Sequence, residues 1–180
     1  MTSRSVQPTP AERRVRLAGD SLVSDATVVM DRAFTLQAPP EVVWPWFVQL
    51  GKRRAGWYLP GWLERLVPAR RRASRRVDQD LQGLAVGDVI PDWGGADATF
   101  EVAVLEPPHA LVHVSTRGRV RLSWAIVLTG VGGGTRVHLR LRLGGVRRER
   151  LARIGGGLMD WLTVVGLAAG LRERLSASAP

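Results

Sequence analysis

The sequence predicts an α+β fold: a curved antiparallel sheet of about six strands, two short helices after the first strand, and a long C-terminal helix packed across the sheet. Three observations lead to this prediction. Residues 119–129 and 135–143 alternate apolar and polar side chains, which is typical of antiparallel strands with one solvent-exposed face. Residues 38–66 combine many aromatic side chains with breaks between helical stretches. From residue 147 onwards the apolar residues return to a helical period.

Length and composition favour one domain. The 180 residues are 45% hydrophobic, which suits a sizeable core. We expect a flexible segment over residues 1–26, in which a short helix could form around 11–17, then the domain over 27–176 and a tail over 177–180. The absence of cysteine excludes disulfides, thiolate nucleophiles and cysteine-based zinc sites.

Two further features predict a soluble, cytoplasmic protein. The N-terminal stretch lacks the apolar segment of a secretory signal. The longest apolar run, residues 158–171, is interrupted by Asp160 and falls short of the roughly 20 residues that a membrane span needs.

The chain is strongly basic. Its formal net charge is +10, and Lys52 is the only lysine among its 26 basic residues. Such a charge attracts phosphates and acidic surfaces at low salt. Residues 70–76 form an arginine-rich loop, interpreted either as a solvated loop or as a contact for an anion or a membrane surface. A second basic row faces away from the apolar row of the last strand and is expected to be solvated: Arg136, His138, Arg140 and Arg142.

The first strand is predicted over residues 27–37. Its apolar face is formed at a period of two by Val28, Met30, Phe34 and Leu36. Arg32 interrupts this face. Three explanations stay open for it: a place at the open end of the strand, a carboxylate partner, or the wall of a pocket.

The aromatic segment follows as two short helices. Pro39 and Pro40 suit a first helical turn, Pro45 should kink the helix, and Gly51 is placed to end it. A second short helix is predicted over residues 60–67.

The rest of the sheet and the last helix complete the order. A turn and a strand are predicted over residues 84–90, and then a loop over 91–98. Further strands are predicted over 99–105 and 110–115, before the two long alternating strands.

The helix that begins near residue 147 has one apolar stripe, formed by Ile154, Leu158, Leu162, Val165 and Ala169. This stripe is expected to pack on the sheet, because a helix that follows a run of strands must bury its apolar side. Glycines at residues 155–157 and at 166 and 170 indicate close helix–sheet contact, a kink, or room for a ligand.

Several stretches resemble one known superfamily. The segments are APPEVVWPWFVQLG at residues 38–51, GWY at 56–58, LAVGDVI at 84–90, and SWAIVL followed by GGGTRVHLRLR. Their order resembles the helix-grip fold of the START-like superfamily, also called SRPBCC, which includes polyketide cyclases. The resemblance covers roughly residues 28–175, and departs from the pattern in the arginine-rich loop and the glycine-rich last helix.

The resemblance implies a cavity between the sheet and the C-terminal helix that holds lipids, sterols, aromatic polyketides or other apolar molecules. Trp57, Tyr58 and Trp62 are candidates for its wall, with core packing as the alternative. The remaining candidates for the cavity are Arg32, Glu64, Trp93, His113, Trp124, Asp160 and Trp161.

The candidate acids have two interpretations each. Glu64 is either a general acid or base with a raised pKa, or the partner of Arg65 or a neighbouring arginine. Asp160 needs a partner if it faces the sheet, and Arg32 or His113 could serve; if it faces solvent, it has no special role. The scattered histidines predict no metal site, and no phosphate-binding loop, GxSxG or HExxH motif occurs.

The predicted function is the binding of a small hydrophobic ligand, such as a lipid or aromatic polyketide, without a cofactor. One alternative is a cyclase or dehydratase that moves protons with Glu64, Tyr58, His113 or Asp160. The other is a basic module that binds nucleic acid or an anionic membrane. The identity of the ligand and the oligomeric state stay open.

Overall fold

The fold is an antiparallel sheet with a long helix across one face. The computed structural model describes residues 5–177, and its six strands lie in the order β1-β6-β5-β4-β3-β2. All neighbouring strands are antiparallel. The strands are β1 (Val28–Leu36), β2 (Val89–Pro91), β3 (Thr99–Glu106), β4 (Ala110–Arg117), β5 (Val120–Val131) and β6 (Gly134–Gly144).

The helices confirm the predicted order of elements. They are α1 (Pro10–Arg14), α2 (Pro40–Val48), α3 (Gly61–Glu64), α4 (Glu149–Leu151) and α5 (Gly157–Ala177). Short 3-10 turns lie at Ala69–Arg71 and Gln79–Leu81, and a π-helical turn over Ala152–Gly156 joins α4 to α5. The second short helix has four residues rather than the eight expected, and Pro45 lies inside α2. The predicted α+β fold is confirmed.

The C-terminal helix packs on the sheet with its second half. The buried residues of α5 include Val164, Leu167 and Leu171. The predicted apolar stripe was wrong for the first half, where Ile154 is 75% exposed and Leu158 60% exposed. Asp160 turns towards the sheet to reach an arginine, and side chains two positions away on a helix point in nearly the opposite direction.

The C-terminal segment is also longer than its apolar run indicated. Glu149–Ala177 is long and apolar enough to cross a membrane by length and composition. Only 33% of its most apolar window is buried inside the fold, and this share lies in the half that packs on the sheet.

One glycine is required where α5 crosses the connection between α2 and α3. A Cβ atom on Gly170 would lie 2.7 Å from the carbonyl carbon of Tyr58 and 2.8 Å from backbone atoms of Leu59. Both neighbours are main chain and cannot rotate away. Gly170 therefore allows a close contact of the helix with this connection, whereas close contact with the sheet was expected.

The N-terminal segment is packed rather than loose. The backbone N–H of Ala33 donates to the carbonyl of Val6 at 3.0 Å, beside the edge strand β1. Val6 and Val23 are each only 2% exposed, and a capping box starts α1. Residues 5–26 therefore belong to the packed structure, whereas we expected a flexible segment.

The basic row on β6 is buried beneath this segment, so the expectation of a solvated row was wrong. Arg140 is 4% exposed and His138 6% exposed. Asp31 accepts from the Nε of Arg140 at 2.8 Å and lies 2.7 Å from Nε2 of His138, while Arg136 makes a two-point contact with Glu12. Acidic side chains from β1 and the N-terminal segment thus neutralise the basic row, and the ion pairs hold the N-terminal segment against β6.

Candidate functional site

A small apolar cavity lies between α5 and the sheet. Its volume is about 170 Å³. Residues from four strands (β2, β3, β5 and β6), from the loop after β2, from α5 and from the segment between α2 and α3 line it: Leu50, Gly51, Trp57, Ile90, Pro91, Asp92, Trp93, Phe100, Trp124, Leu141, Asp160, Thr163 and Val164. Most of this lining is apolar, so the cavity favours an apolar guest.

Aromatic rings form one continuous wall. The ring centroids of Trp57 and Trp124 are 6.0 Å apart in a stacked arrangement. Trp93 meets Trp57 edge-on at 5.8 Å, and Phe100 lies 6.1 Å from Trp124. The indole N–H of Trp57 donates to the carbonyl of Thr163 at 3.2 Å, which fixes this ring against α5. Such a wall can stack on a flat aromatic ligand.

Asp160 is the main polar group of the cavity. Its Oδ2 lies 2.9 Å from the Nε of Arg32, so Arg32 has the carboxylate partner that was one of its three explanations. Arg32 also donates to the carbonyl of Gly157 at 2.8 Å. Burial raises the pKa of Asp160 above its ordinary range, although the charge of Arg32 opposes this.

A loop that carries Trp93 covers one side of the cavity. Oδ1 of Asp92 accepts from the backbone N–H of Trp93 at 2.6 Å, and its other oxygen pairs with Arg117. The ammonium of Lys52 donates to the carbonyls of Asp92 at 2.8 Å and Gly95 at 3.3 Å. Trp93 is 50% exposed, so its ring lies at the boundary between cavity and solvent.

His113 lies behind this wall rather than in it. Its ring stacks on Trp124, with a centroid distance of 5.6 Å, and lies 5.6 Å from Phe100. Burial lowers the pKa of His113 to about 4, with a smaller contribution from the charge of Arg54. Within residues 5–177, neither ring nitrogen has a hydrogen-bond partner. The imidazole is therefore held neutral.

Tyr58 and Glu64 belong to a separate buried cluster and do not line the cavity. Tyr58 is fully buried and donates its hydroxyl to the carbonyl of Trp46 at 2.9 Å. Glu64 accepts from Arg174 at 2.5 Å and from Arg75 at 2.8 Å. Burial raises the pKa of Glu64, but these two arginines outweigh it and leave the pKa below its ordinary value. The salt-bridge interpretation of Glu64 therefore holds.

Two predicted cavity residues lie on the surface. Trp62 is 66% exposed and Trp161 39% exposed, and neither lines the apolar cavity. Both sit on helices whose other face packs inward, a difference that aromatic character does not reveal. The ten predicted residues thus divide into four that line the cavity (Trp57, Trp93, Trp124 and Asp160), two that contact them (Arg32 and His113), and four elsewhere.

A basic groove adjoins the cavity on the far side of Trp57 and Trp93, which line both. Its volume is about 570 Å³. The basic residues that line it are Lys52, Arg53, Arg54, Arg70, Arg71 and Arg72. Part of the arginine-rich loop therefore faces this groove, while Arg75 pairs with Glu64.

Sequence reasoning missed several lining residues. Leu141 is the direct neighbour of Trp124 in the register of β5 and β6, so the alternation pattern of both strands could have identified it. Thr163 lies three residues after Asp160 on the same helix. Phe100 carried no distinguishing signal.

The cavity contains one of the four groups considered for proton transfer, Asp160. Tyr58 and Glu64 are engaged in their own cluster, and His113 lies behind the aromatic wall. Among residues 5–177, no group of three His, Asp or Glu side chains is placed to hold a metal ion. The arrangement is suited to holding a molecule, with Asp160 as a hydrogen-bond acceptor.

The sheet, the helix across it and the cavity between them define a helix-grip fold. Protein MLL2253 from Mesorhizobium loti has this fold, with 20% identity, 85% of this chain and 100% of that chain covered, and a TM-score of 0.51. Ms6760 from Mycobacterium smegmatis matches at 15% identity over 86% and 94% of the two chains, with a TM-score of 0.52.

DynU16, a protein in the dynemicin biosynthetic locus, matches at 17% identity with a TM-score of 0.50, over 84% of this chain and 48% of its own. No protein-family model and no curated protein sequence matches this chain. At these identities the structural matches establish the fold alone.

Proposed function

We propose that this protein binds a small aromatic molecule that carries an acidic group. The aromatic part enters the cavity between α5 and the sheet, and the acidic group lies in the adjoining basic groove. The observation that carries this proposal is that Trp57 and Trp93 line both spaces, so one ligand can contact the two.

The size of the cavity sets the size of the inserted part. An engineered cavity of about 150 Å³ holds benzene. A cavity of about 170 Å³ therefore accepts one ring, or a larger system that projects past Trp93, rather than a complete lipid chain. This narrows the expected ligand towards the aromatic class.

Charge sets the orientation. Asp160 and Asp92 line the cavity and disfavour an anion inside it, while six basic side chains line the groove. An acidic group is therefore stable only on the outer side of the tryptophans. Aromatic polyketides with acidic groups meet this description, and the presence of the fold in the dynemicin biosynthetic locus agrees with such a ligand. Membership of the START-like superfamily is part of this proposal.

The test compares 2-naphthoate with the neutral 2-naphthol by calorimetric titration of the purified protein. We expect naphthoate to bind more tightly, and the difference to shrink at high salt. Trp57→Ala should weaken both ligands by about tenfold or more, because aromatic anchors dominate such sites.

Trp62→Ala is the matched control, since this ring is 66% exposed and lies outside the cavity. Arg53→Gln with Arg71→Gln should weaken naphthoate and leave naphthol unchanged. The proposal is wrong if neither ligand binds, or if Trp62→Ala costs as much affinity as Trp57→Ala.

A further inference from the structure

The first half of the C-terminal helical segment exposes an apolar face to solvent. Leu151, Ile154, Leu158, Met159 and Leu162 are between 51% and 75% exposed, and Trp161 is 39% exposed. Leu158 and Leu162 are four residues apart on α5, which places them on one side of that helix, and the exposed Leu151 and Ile154 precede them in α4 and in the π-helical turn. A contiguous apolar face of this kind marks an interaction surface.

Basic residues flank this face. Arg147, Arg148, Arg150 and Arg153 are exposed, and Glu149 is the one acidic residue among them. Arg153 also donates to the carbonyl of Thr27 at 3.1 Å. An apolar helix face bordered by arginines is the pattern of a helix that lies in the surface of an anionic bilayer.

We infer that this half of the helical segment docks on an anionic membrane surface, with Leu158, Trp161 and Leu162 in the acyl boundary and the flanking arginines against lipid phosphates. A second copy of the chain is a poorer occupant, because a symmetric interface would bring two arginine clusters together. Nucleic acid is also a poorer occupant, because it offers no apolar surface for the leucines.

The helix lies on the membrane and does not cross it. A span would require Glu149–Ala177 as a whole, but the second half carries Leu167 and Leu171 in the core and Arg174 in its ion pair with Glu64. Extracting these residues would expose the apolar sheet. The packed half therefore anchors the domain while the exposed half contacts lipid.

Docking would also place the cavity near the lipid surface. Asp160, Thr163 and Val164 line the cavity on the inner side of the same helical turns that expose Leu158 and Leu162. The docking inference does not depend on the proposed ligand, since it rests on the outer side of the helix alone.

Co-sedimentation with vesicles tests the inference. Wild-type protein should bind vesicles of equal parts phosphatidylcholine and phosphatidylglycerol, bind phosphatidylcholine alone more weakly, and lose binding as salt rises. Leu158→Glu with Leu162→Glu should weaken binding to the mixed vesicles by about tenfold or more, because buried apolar area sets the affinity of interfacial helices.

Leu66→Glu is the matched control, since Leu66 is 76% exposed and lies outside this surface. A second variant, Arg148→Gln with Arg150→Gln, should lower affinity for mixed vesicles by about fivefold per arginine and leave binding to phosphatidylcholine unchanged. Circular dichroism confirms that each variant is folded.

Three results would overturn the inference. The first is no binding to either vesicle. The second is an equal loss with Leu66→Glu. The third is a different partner in place of the vesicles. This would be either a dimer in sedimentation velocity, which the double variant Leu158→Glu with Leu162→Glu dissociates, or a complex with duplex DNA that depends on Arg148 and Arg150.

Discussion

Arg32 on β1 and Asp160 on α5 form an ion pair at the cavity, with 2.9 Å between Nε and Oδ2. Their side chains are 14% and 19% exposed, so both charges are largely removed from water. The pair joins the edge strand to the helix that covers the sheet. It also turns the outer side of that helix, with Leu158 and Leu162, towards solvent.

The two halves of this pair should respond differently to mutation. Arg32→Met leaves Asp160 buried without its cation and should cost about 3 kcal/mol of unfolding free energy. Asp160→Asn should cost less, about 1 kcal/mol, because Arg32 keeps its hydrogen bonds to the carbonyls of Asp31 and Gly157 and the amide oxygen of asparagine can still accept from it. Urea unfolding of both single variants and of the double variant measures this. Equal costs for the two single changes would contradict the assignment.

Glu64 should be essential to the second buried cluster. The side chain of Arg174 is 0% exposed and lies 2.5 Å from a Glu64 oxygen. Glu64→Gln leaves a buried guanidinium without its carboxylate and should lower the unfolding free energy by about 3 kcal/mol. Glu173→Gln is the control, since its 3.5 Å pair with Arg75 is 42% to 49% exposed and should contribute less than about 1 kcal/mol.

Gly170 should tolerate no side chain. Alanine is more favourable than glycine in a helix interior by about 1 kcal/mol, but here its Cβ would overlap the main chain at Tyr58 and Leu59. We therefore expect Gly170→Ala to destabilise the protein by about 2 kcal/mol, as overpacked cores do. A Cβ atom at Gly157 would have no atom within 4 Å, so Gly157→Ala should leave the stability of the protein unchanged or raise it. Thermal unfolding of both variants measures the difference. A Gly170→Ala protein as stable as the wild type would contradict the close contact between Gly170 and the main chain at Tyr58 and Leu59.

His113 should make stability depend on pH in a defined window. Its folded-state pKa of about 4 lies below the ordinary value of 6.5, so the unfolded chain takes up a proton first as the pH falls. Stability is therefore lost between about pH 6.5 and 4, by roughly 3 kcal/mol at about 1.4 kcal/mol per pKa unit. His113→Phe should flatten the curve in this window.

A second loss, from Glu12, lies at lower pH and should remain in His113→Phe. Glu12 has a pKa of about 2 against 4.5, because Arg136 donates to its carboxylate, so its contribution disappears between about pH 4.5 and 2. The pKa values of Asp31 and Glu64 are also lowered, so both carboxylates add to the loss of stability in acid. Urea midpoints measured across the range separate His113 from these carboxylates. An unchanged slope above pH 4.5 in His113→Phe would show that His113 is not the responsible group.

Alternation and helical periodicity predicted the sheet and the order of its elements, because those patterns depend on local geometry alone. The long strands 119–129 and 135–143 agree with β5 and β6 to within two residues. Part of the cavity lining could also be predicted from the sequence, since the predicted residues Trp57, Trp93, Trp124 and Asp160 line it.

The sequence by itself therefore determined the α+β order, the aromatic segment and a group of rings near one cavity. Only the tertiary structure decided which side of each element faces inward. Tyr58 and Trp62 look alike in sequence, but one is in the core and the other on the surface. Arg140 is buried because Asp31 and Asp20 reach it from elsewhere in the chain. The physical reason is that burial depends on partners brought together by the fold, and a local pattern does not contain those partners.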